Sequence, residues 1–292
     1  MRSICLFSSY FDSPDIPYYV KFYLEQLSQN FTKIIFVTNE KILNNSSCEY
    51  LNDNNIECLQ VVNEGYDFGM WYKAIQKIDL TIYQRVGFVN DSCILFSSLN
   101  RVMKWGEQGG LDFWGISESN SISRHIQSYF LIVEKNAISS VVNYFNQSGI
   151  RKEIKDVILT YEIGLSKFLL ELNFKMGAFL DNENYKGEFS PYYKLIDSHI
   201  IQGTPLIKKK IIFQSYRKDE LRTLARMNFN ISPDYYISMI MTQNANLVLI
   251  DFEKVKQEVQ RRLGSIELFL YNLKRHLIRI ARPSYKLIIG TR

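Results

Sequence analysis

Short apolar runs and helix-spaced apolar positions take turns along the first third of the chain. "SICLFSSY" (Ser3–Tyr10) reads as a strand that ends in polar residues. Ser13-Pro14 then predicts a helix start, with Ser as N-cap and Pro at the first helical position. Tyr19, Tyr23, Leu24 and Leu27 follow at helical spacing. "KIIFVTN" (Lys33–Asn39) and "IECLQVVN" (Ile56–Asn63) predict two further strands. A helix starts near Asp67, and Val86–Val89 is a fourth strand. Strands alternating with helices predict an α/β domain with a mainly parallel sheet. In such sheets ligands sit beyond the C-terminal strand ends, where Asn63 and Asn90-Asp91 fall.

Past residue 110 the pattern changes. "LDFWGIS" and "HIQSYFLIV" predict strands, and "IKDVILTYEIGLSKFLLEL" predicts one long helix. From residue 206 onward the pattern is helical and peripheral. The chain therefore divides into residues 1–205, an α/β domain, and residues 206–292, a helical C-terminal extension.

Composition narrows the class. With 46% hydrophobic and 22% charged residues the chain has a globular balance, which excludes a disordered protein. Cys5, Cys48, Cys58 and Cys93 form no CxxC pair, so neither a zinc site nor a disulfide framework is expected. No run approaches the roughly 18 apolar residues of a membrane span, and the N-terminus lacks a signal peptide, which predicts a cytoplasmic protein. The net charge of +5 is uneven. Residues 261–292 hold eight Lys/Arg against Glu267 alone, a tail of +7, and the remaining residues sum to −2. A slightly acidic body speaks against nucleic-acid binding.

Four places could carry chemistry. "VVNEGYDFGMWYKAI" puts Asn63, Gly65, Tyr66, Asp67 and Gly69 at a strand–helix junction, where glycines let backbone approach a ligand and a helix N-terminus favours an anion. An ordinary turn capped by Asp67 fits the same residues. At the tip Asn90-Asp91-Ser92, Asp91 could ligate a divalent cation that carries a diphosphate, with neutral oxygens from Asn90 and Ser92. An Asx turn closing the strand is the alternative. Glu162 lies about 40° from Ile158 on a helical wheel, on the face of Tyr161, Leu165, Leu169 and Leu172. A carboxylate on an apolar face is costly unless paired or functional, and burial moves a carboxyl toward the range of a general base. Lastly, strict alternation in "SRHIQSYFLIV" aligns His125, Gln127 and Tyr129 on one strand face, a row suited to a polyhydroxylated ligand.

In order, "NEGYDFGMW", "GFVNDS", "DFWGIS", "HIQSYF", "TYEIGLS" and "IIQGTPLIKKKII" resemble the rhamnan synthesis protein F family, glycosyltransferases of bacterial surface polysaccharide assembly, from residue 4 to about residue 215. The resemblance implies a GT-A-like fold and transfer of rhamnose or another hexose from a nucleotide-sugar donor to a growing glycan. It further implies donor binding by Asn63, Gly65, Tyr66, Asp67, Asn90, Asp91 and Ser92, and sugar and acceptor binding by Trp114, Gly115, His125 and Gln127. Glu162 would be the base of an inverting displacement. The related tip is usually Asp-x-Asp and holds Mn²⁺ or Mg²⁺; here one carboxylate stands in its place, so Asp91 is the candidate metal ligand and metal dependence stays open. A non-catalytic glycosyltransferase-like partner in polysaccharide assembly is the competing reading. A methyltransferase fits less well, because the first strand lacks a glycine-rich turn.

The tail carries its own expectation. Ile266, Phe269, Leu270, Leu273, Leu277 and Ile280 make one helical stripe, and Arg275, Arg279, Arg282 and Lys286 another if the helix passes Pro283. A basic amphipathic helix predicts peripheral attachment to the cytoplasmic face of the inner membrane, which suits a lipid-linked acceptor. A packing helix or a dimer contact would carry the same pattern.

Overall fold

The computed structural model describes residues 1–120, 122–180, 199 and 202–209. Its centre is a seven-stranded sheet. The first four strands are β1 (Ser3–Ser9), β2 (Lys33–Asn39), β3 (Glu57–Val61) and β4 (Arg85–Asn90). The other three are β6 (Phe113–Gly115), β9 (Phe130–Glu134) and β10 (Met176–Ala178). They lie in the order β10-β6-β9-β4-β1-β2-β3. β1 pairs in parallel with β2 and β4, and β2 with β3, whereas β9 runs antiparallel between β4 and β6. This is the Rossmann-like, mainly parallel sheet flanked by helices that the sequence predicts.

The sheet is buried on both faces, so its central strands are apolar throughout rather than alternating. Cys5, Phe7 and Phe36 meet α1 (Tyr18–Ser28) through Tyr23, Leu24 and Leu27. Val102 and Met103 of α4 (Asn100–Gln108) join the same core, as does Leu51 of α2 (Asn45–Asp53). On the opposite face Ile4, Leu6, Val86 and Phe88 pack on α3 (Tyr66–Ile75), α5 (Lys135–Ser148) and α7 (Gly164–Glu171). Each of these large side chains is removed from water and contributes about 2 kcal/mol.

Three expectations shift. The first helix begins at Tyr18, because Pro17 disfavours helical backbone at the residue before it, and Ser13 accepts from the Asp15 N–H in a local turn instead of capping. The long helix is interrupted: α6 (Ile154–Val157) passes into a π-helical turn (Ile158–Ile163) before α7. Leu206–Lys208, expected in the helical extension, form the strand β11, which pairs antiparallel with β5 (Cys93–Leu95). The rest of that extension, including the basic tail, lies outside the described residues. Among the described residues no helix is long and apolar enough to cross a membrane.

Candidate active site

After β3 the chain crosses the sheet through α3 to β4, on the other side of β1 from β2. The strand order therefore reverses at β1 and β4, and the crevice beyond their C-terminal ends is where α/β sheets bind ligands. Ser8 and Ser9 close β1, Asn90 ends β4 with Asp91 just beyond it, and Asp67 stands in the first turn of α3.

The start of α3 is shaped by backbone. Gly65 sits at φ +79° and Tyr66 at φ +57°, two successive left-handed residues. For Tyr66 this costs about 1 kcal/mol or more. At Gly69 a Cβ would fall 1.7 Å from the Glu64 carbonyl oxygen, so only glycine lets the loop fold over the helix. A Cβ at Gly65 would press on the Arg151 carbonyl and Ile150. At both positions glycine is required by the close packing of the chain against itself. The turn aims Asp67 inward: Ser8 Oγ donates to Asp67 Oδ1 at 3.3 Å and Asn90 Nδ2 to Asp67 Oδ2 at 2.8 Å. Burial, then the neighbouring Asp91 charge, pushes the Asp67 carboxyl up to about 7, with Glu162 adding to the rise and Ser8 and Lys209 opposing it. Tyr66 stays half-exposed, and Asn63 is exposed.

The Asx-turn reading of the Asn90-Asp91-Ser92 tip holds. Asn90 Oδ1 accepts the Ser92 N–H at 3.0 Å, an Asx turn, while its amide bonds to Asp67. That turn directs Asp91 into the crevice, where it is buried. Asp91 Oδ2 accepts from Ser9 Oγ at 2.8 Å, from Tyr19 Oη at 2.9 Å and from Lys209 Nζ at 2.8 Å. Lys209 comes from the end of β11, whose pairing continues as the Lys209 N–H donates to the Ser92 carbonyl at 2.9 Å. Among the described residues no three His, Cys, Asp or Glu side chains are placed to hold a metal ion. With one oxygen of Asp91 already taken by three donors, one of them a cation, the arrangement does not fit the divalent-ion role expected of Asp91.

Glu162 reaches the crevice from the π turn. The wider turn adds a residue, which rotates what precedes it off the apolar face. Tyr161, Leu165 and Leu169 are buried as expected, but Ile158 and Leu172 are exposed. The turn is held from outside: Tyr144 Oη donates to the Thr160 carbonyl at 2.6 Å across Gly164, where a Cβ would stand 2.5 Å from that hydroxyl. Ser128 Oγ donates to Glu162 Oε2 at 3.2 Å, and His125 Nε2 lies 3.8 Å from Glu162 Oε1. His125 Nδ1 lies 2.7 Å from the Ser123 carbonyl, which can only accept, so Nδ1 carries a proton and Nε2 is turned to the carboxylate.

The expected strand row is broken. β8 holds only His125–Ile126, paired with β7 (Glu118–Ser119), and residues 127–129 leave the strand before β9. Ser128, expected on the far face, therefore joins His125 at Glu162. Gln127 is buried and accepts from Ser117 Oγ at 2.9 Å. The sugar-stacking role expected of Trp114 is closed to it. Its ring is fully buried, and its Nε1 donates at 3.1 Å to Glu134, which also pairs with buried Arg85. Gly115 packs equally tightly, against Ile126 and the Phe130 carbonyl. Ser8, Ser9, Tyr19 and Lys209 were not singled out from the sequence; the polar pair that ends the first apolar run was the available signal for the two serines.

Residues 34–268, about four-fifths of the chain, match the family described as rhamnan synthesis protein F. No curated protein sequence matches. Among solved structures the chain is similar to a cytidylyltransferase from Leptospira borgpetersenii, at TM-score 0.43 and 11% identity over 86% of this chain and 98% of that one. It is also similar to the S. aureus protein TarS, at TM-score 0.41 and 13% identity over 80% and 45% of the two chains. A third is the glycosyltransferase GlyE of Streptococcus pneumoniae TIGR4, at 0.37 and 10% over 69% and 50%.

Proposed function

The chain belongs to the rhamnan synthesis protein F family, a family of glycosyltransferases, and from that premise we propose that it transfers rhamnose or another hexose from a nucleotide sugar to a growing surface polysaccharide or lipopolysaccharide glycan. One observation carries the reading. Asp67, Asp91 and Glu162 arrive from three separate elements and share one crevice beyond the strand ends at the switch point. Asp91 is buried and the other two are largely shielded; carboxylates gathered in this way are costly, and such a convergence marks a functional site. A π turn under one of them points the same way, since such turns concentrate at functional sites.

In the mechanism we propose, the nucleoside diphosphate lies over Asn90-Asp91 and the start of α3. Glu162 takes the proton of an acceptor hydroxyl, whose oxygen attacks the anomeric carbon in line. The bond from that carbon to the diphosphate oxygen breaks, its electron pair leaves with the diphosphate, and configuration inverts. Ser128 holds one oxygen of Glu162 for this step by its hydrogen bond, and His125 stands beside the other. The acceptor would be lipid-linked and the basic tail would hold the enzyme at the cytoplasmic face of the inner membrane. Glu162→Gln keeps the shape and removes the base. Transfer should fall at least about a hundredfold while donor binding stays. Full activity in that variant sinks the assignment.

The Lys209–Asp91 pair favours a second reading, a glycosyltransferase-like partner that has lost catalysis, because it ties up the tip carboxylate. A turnover screen across nucleotide sugars, with chelator and with Mn²⁺ or Mg²⁺, separates the two. Turnover of none under every condition favours the partner.

A further inference from the structure

We propose that the Lys209 ammonium is the resident cation of the donor pocket, so that a nucleoside diphosphate is neutralised there by this side chain and not by a divalent metal ion. The inference rests on the glycosyltransferase reading and deepens it.

The position of Lys209 is fixed from both ends. β11 lies on β5 with Lys208 opposite Cys93, and the Lys209 N–H continues the pairing to Ser92, one residue from Asp91. Its Nζ then reaches Asp91 Oδ2 at 2.8 Å and Tyr19 Oη at 2.6 Å, with the ammonium 4.5 Å from the centre of the Tyr19 ring. Tyr19 in turn donates to the same carboxylate oxygen at 2.9 Å. A carboxylate, a phenol and an ammonium thus close a triangle on the floor of the crevice.

Charge decides what such a triangle can accept. A two-carboxylate tip is negative and attracts a dication. Here the tip carboxylate is already matched by one ammonium, burial and the Asp91 charge favour the protonated form of neighbouring Asp67, and a metal ion at Asp91 would meet a like charge a few ångströms away. The Lys209 side chain is 23% exposed, so it is open to a ligand while Asp91 beneath it is shielded. Two of its N–H donors go to Asp91 and Tyr19, and the third is the one we assign to a phosphate oxygen. An ammonium is a compact point charge well suited to that contact. Lys41, just beyond β2, also lies within electrostatic reach of Asp91. During transfer Lys209 would stabilise the negative charge that gathers on the departing diphosphate, with no proton transfer required.

The test is calorimetry of the full chain with UDP, GDP and dTDP, in EDTA and then with Mg²⁺ or Mn²⁺. At least one nucleoside diphosphate should bind as tightly in chelator as with metal. Lys209→Gln should weaken it about tenfold or more, without rescue by metal, and Lys209→Arg should keep most of the affinity. Binding lost in chelator, or Lys209→Gln binding as the parent does, overturns the proposal. The chelator arm uses the unmodified chain, so the proposal stays exposed even if Lys209→Gln fails to fold. Binding that requires metal removes this inference alone. Binding of none of the three under any condition removes the glycosyltransferase reading and this inference together.

Discussion

Asp67 shares its crevice with Asp91 and Glu162, and that crowding has a consequence for stability. The fold binds the Asp67 proton more tightly than the unfolded chain does, since burial and the Asp91 charge raise it from 3.8 to about 7. Its contribution is therefore complete below about pH 4 and is lost as pH rises through about 7. Asn at this position has no proton to lose. Its carbonyl can accept from Asn90 and its amide can donate to Ser8. Asp67→Asn should thus be more stable than the parent near pH 8, by at most about 4 kcal/mol, with the gain vanishing near pH 4. Urea unfolding across that range reads the difference, and parallel pH profiles would refute it. Residue by residue, the sequence exposed the acids and hid their partners. Asp91 was legible because an apolar run ends on it, and Glu162 because it interrupts an apolar stripe. Lys209 was not, because what makes it part of the site is a strand pairing with residues over a hundred positions away. Trp114 was misread for a related reason: pattern alone cannot tell an aromatic that faces a ligand from one that fills the core.

Helix periodicity assumes one residue count per turn, which is why the segment at 154–172 was only half legible. The face of Tyr161, Leu165 and Leu169 came out correctly, all C-terminal to or within the π turn. Ile158, the first residue of the turn, did not, because the side chain that holds the turn comes from another helix, and neither did Leu172, which lies past the end of α7. Tyr144 Oη takes the Thr160 carbonyl, and Gly164 leaves it room. Tyr144→Phe should lose about 1 kcal/mol for the missing hydrogen bond. Gly164→Ala should lose about 1–3 kcal/mol, since its methyl would collide with the tyrosine hydroxyl and the Leu159 carbonyl. In both, the rate of transfer should drop more than donor affinity, because Glu162 rides on this turn while Asp67 and Asp91 do not. Equal losses in rate and affinity would show that the turn is a packing feature only. The α3 start behaves differently. Gly69→Ala puts a methyl into the Glu64 carbonyl, and that clash against backbone predicts a loss of about 3 kcal/mol or more in thermal unfolding.

At the scale of the molecule, alternating strands and helices were enough to place the crevice, since a parallel sheet with a reversal in strand order leaves one natural opening. The antiparallel β9 and the β5–β11 ribbon were not legible, because pairing partners distant in sequence leave no local trace. Charge, by contrast, is additive and needs no structure. The +7 carried by residues 261–292 opposes the −2 of everything before it, so the whole chain is a weakly acidic enzyme body with a basic end. Juxtamembrane Lys and Arg each contribute about 1 kcal/mol near an anionic bilayer, so the attachment proposed for the tail would have eight basic residues to draw on. The apolar residues from Ile266 to Ile280, which the sequence sets at helical spacing, would add burial at the acyl boundary. The full chain should float with vesicles containing anionic lipid and dissociate as salt shortens the Debye length. A chain ending at residue 260 should stay in solution with its nucleotide affinity unchanged, because every donor-side residue named above precedes that point. Flotation of the shortened chain to the same extent as the full one would place the membrane contact elsewhere. Equal binding to neutral vesicles would assign the attachment to the apolar stripe rather than to charge.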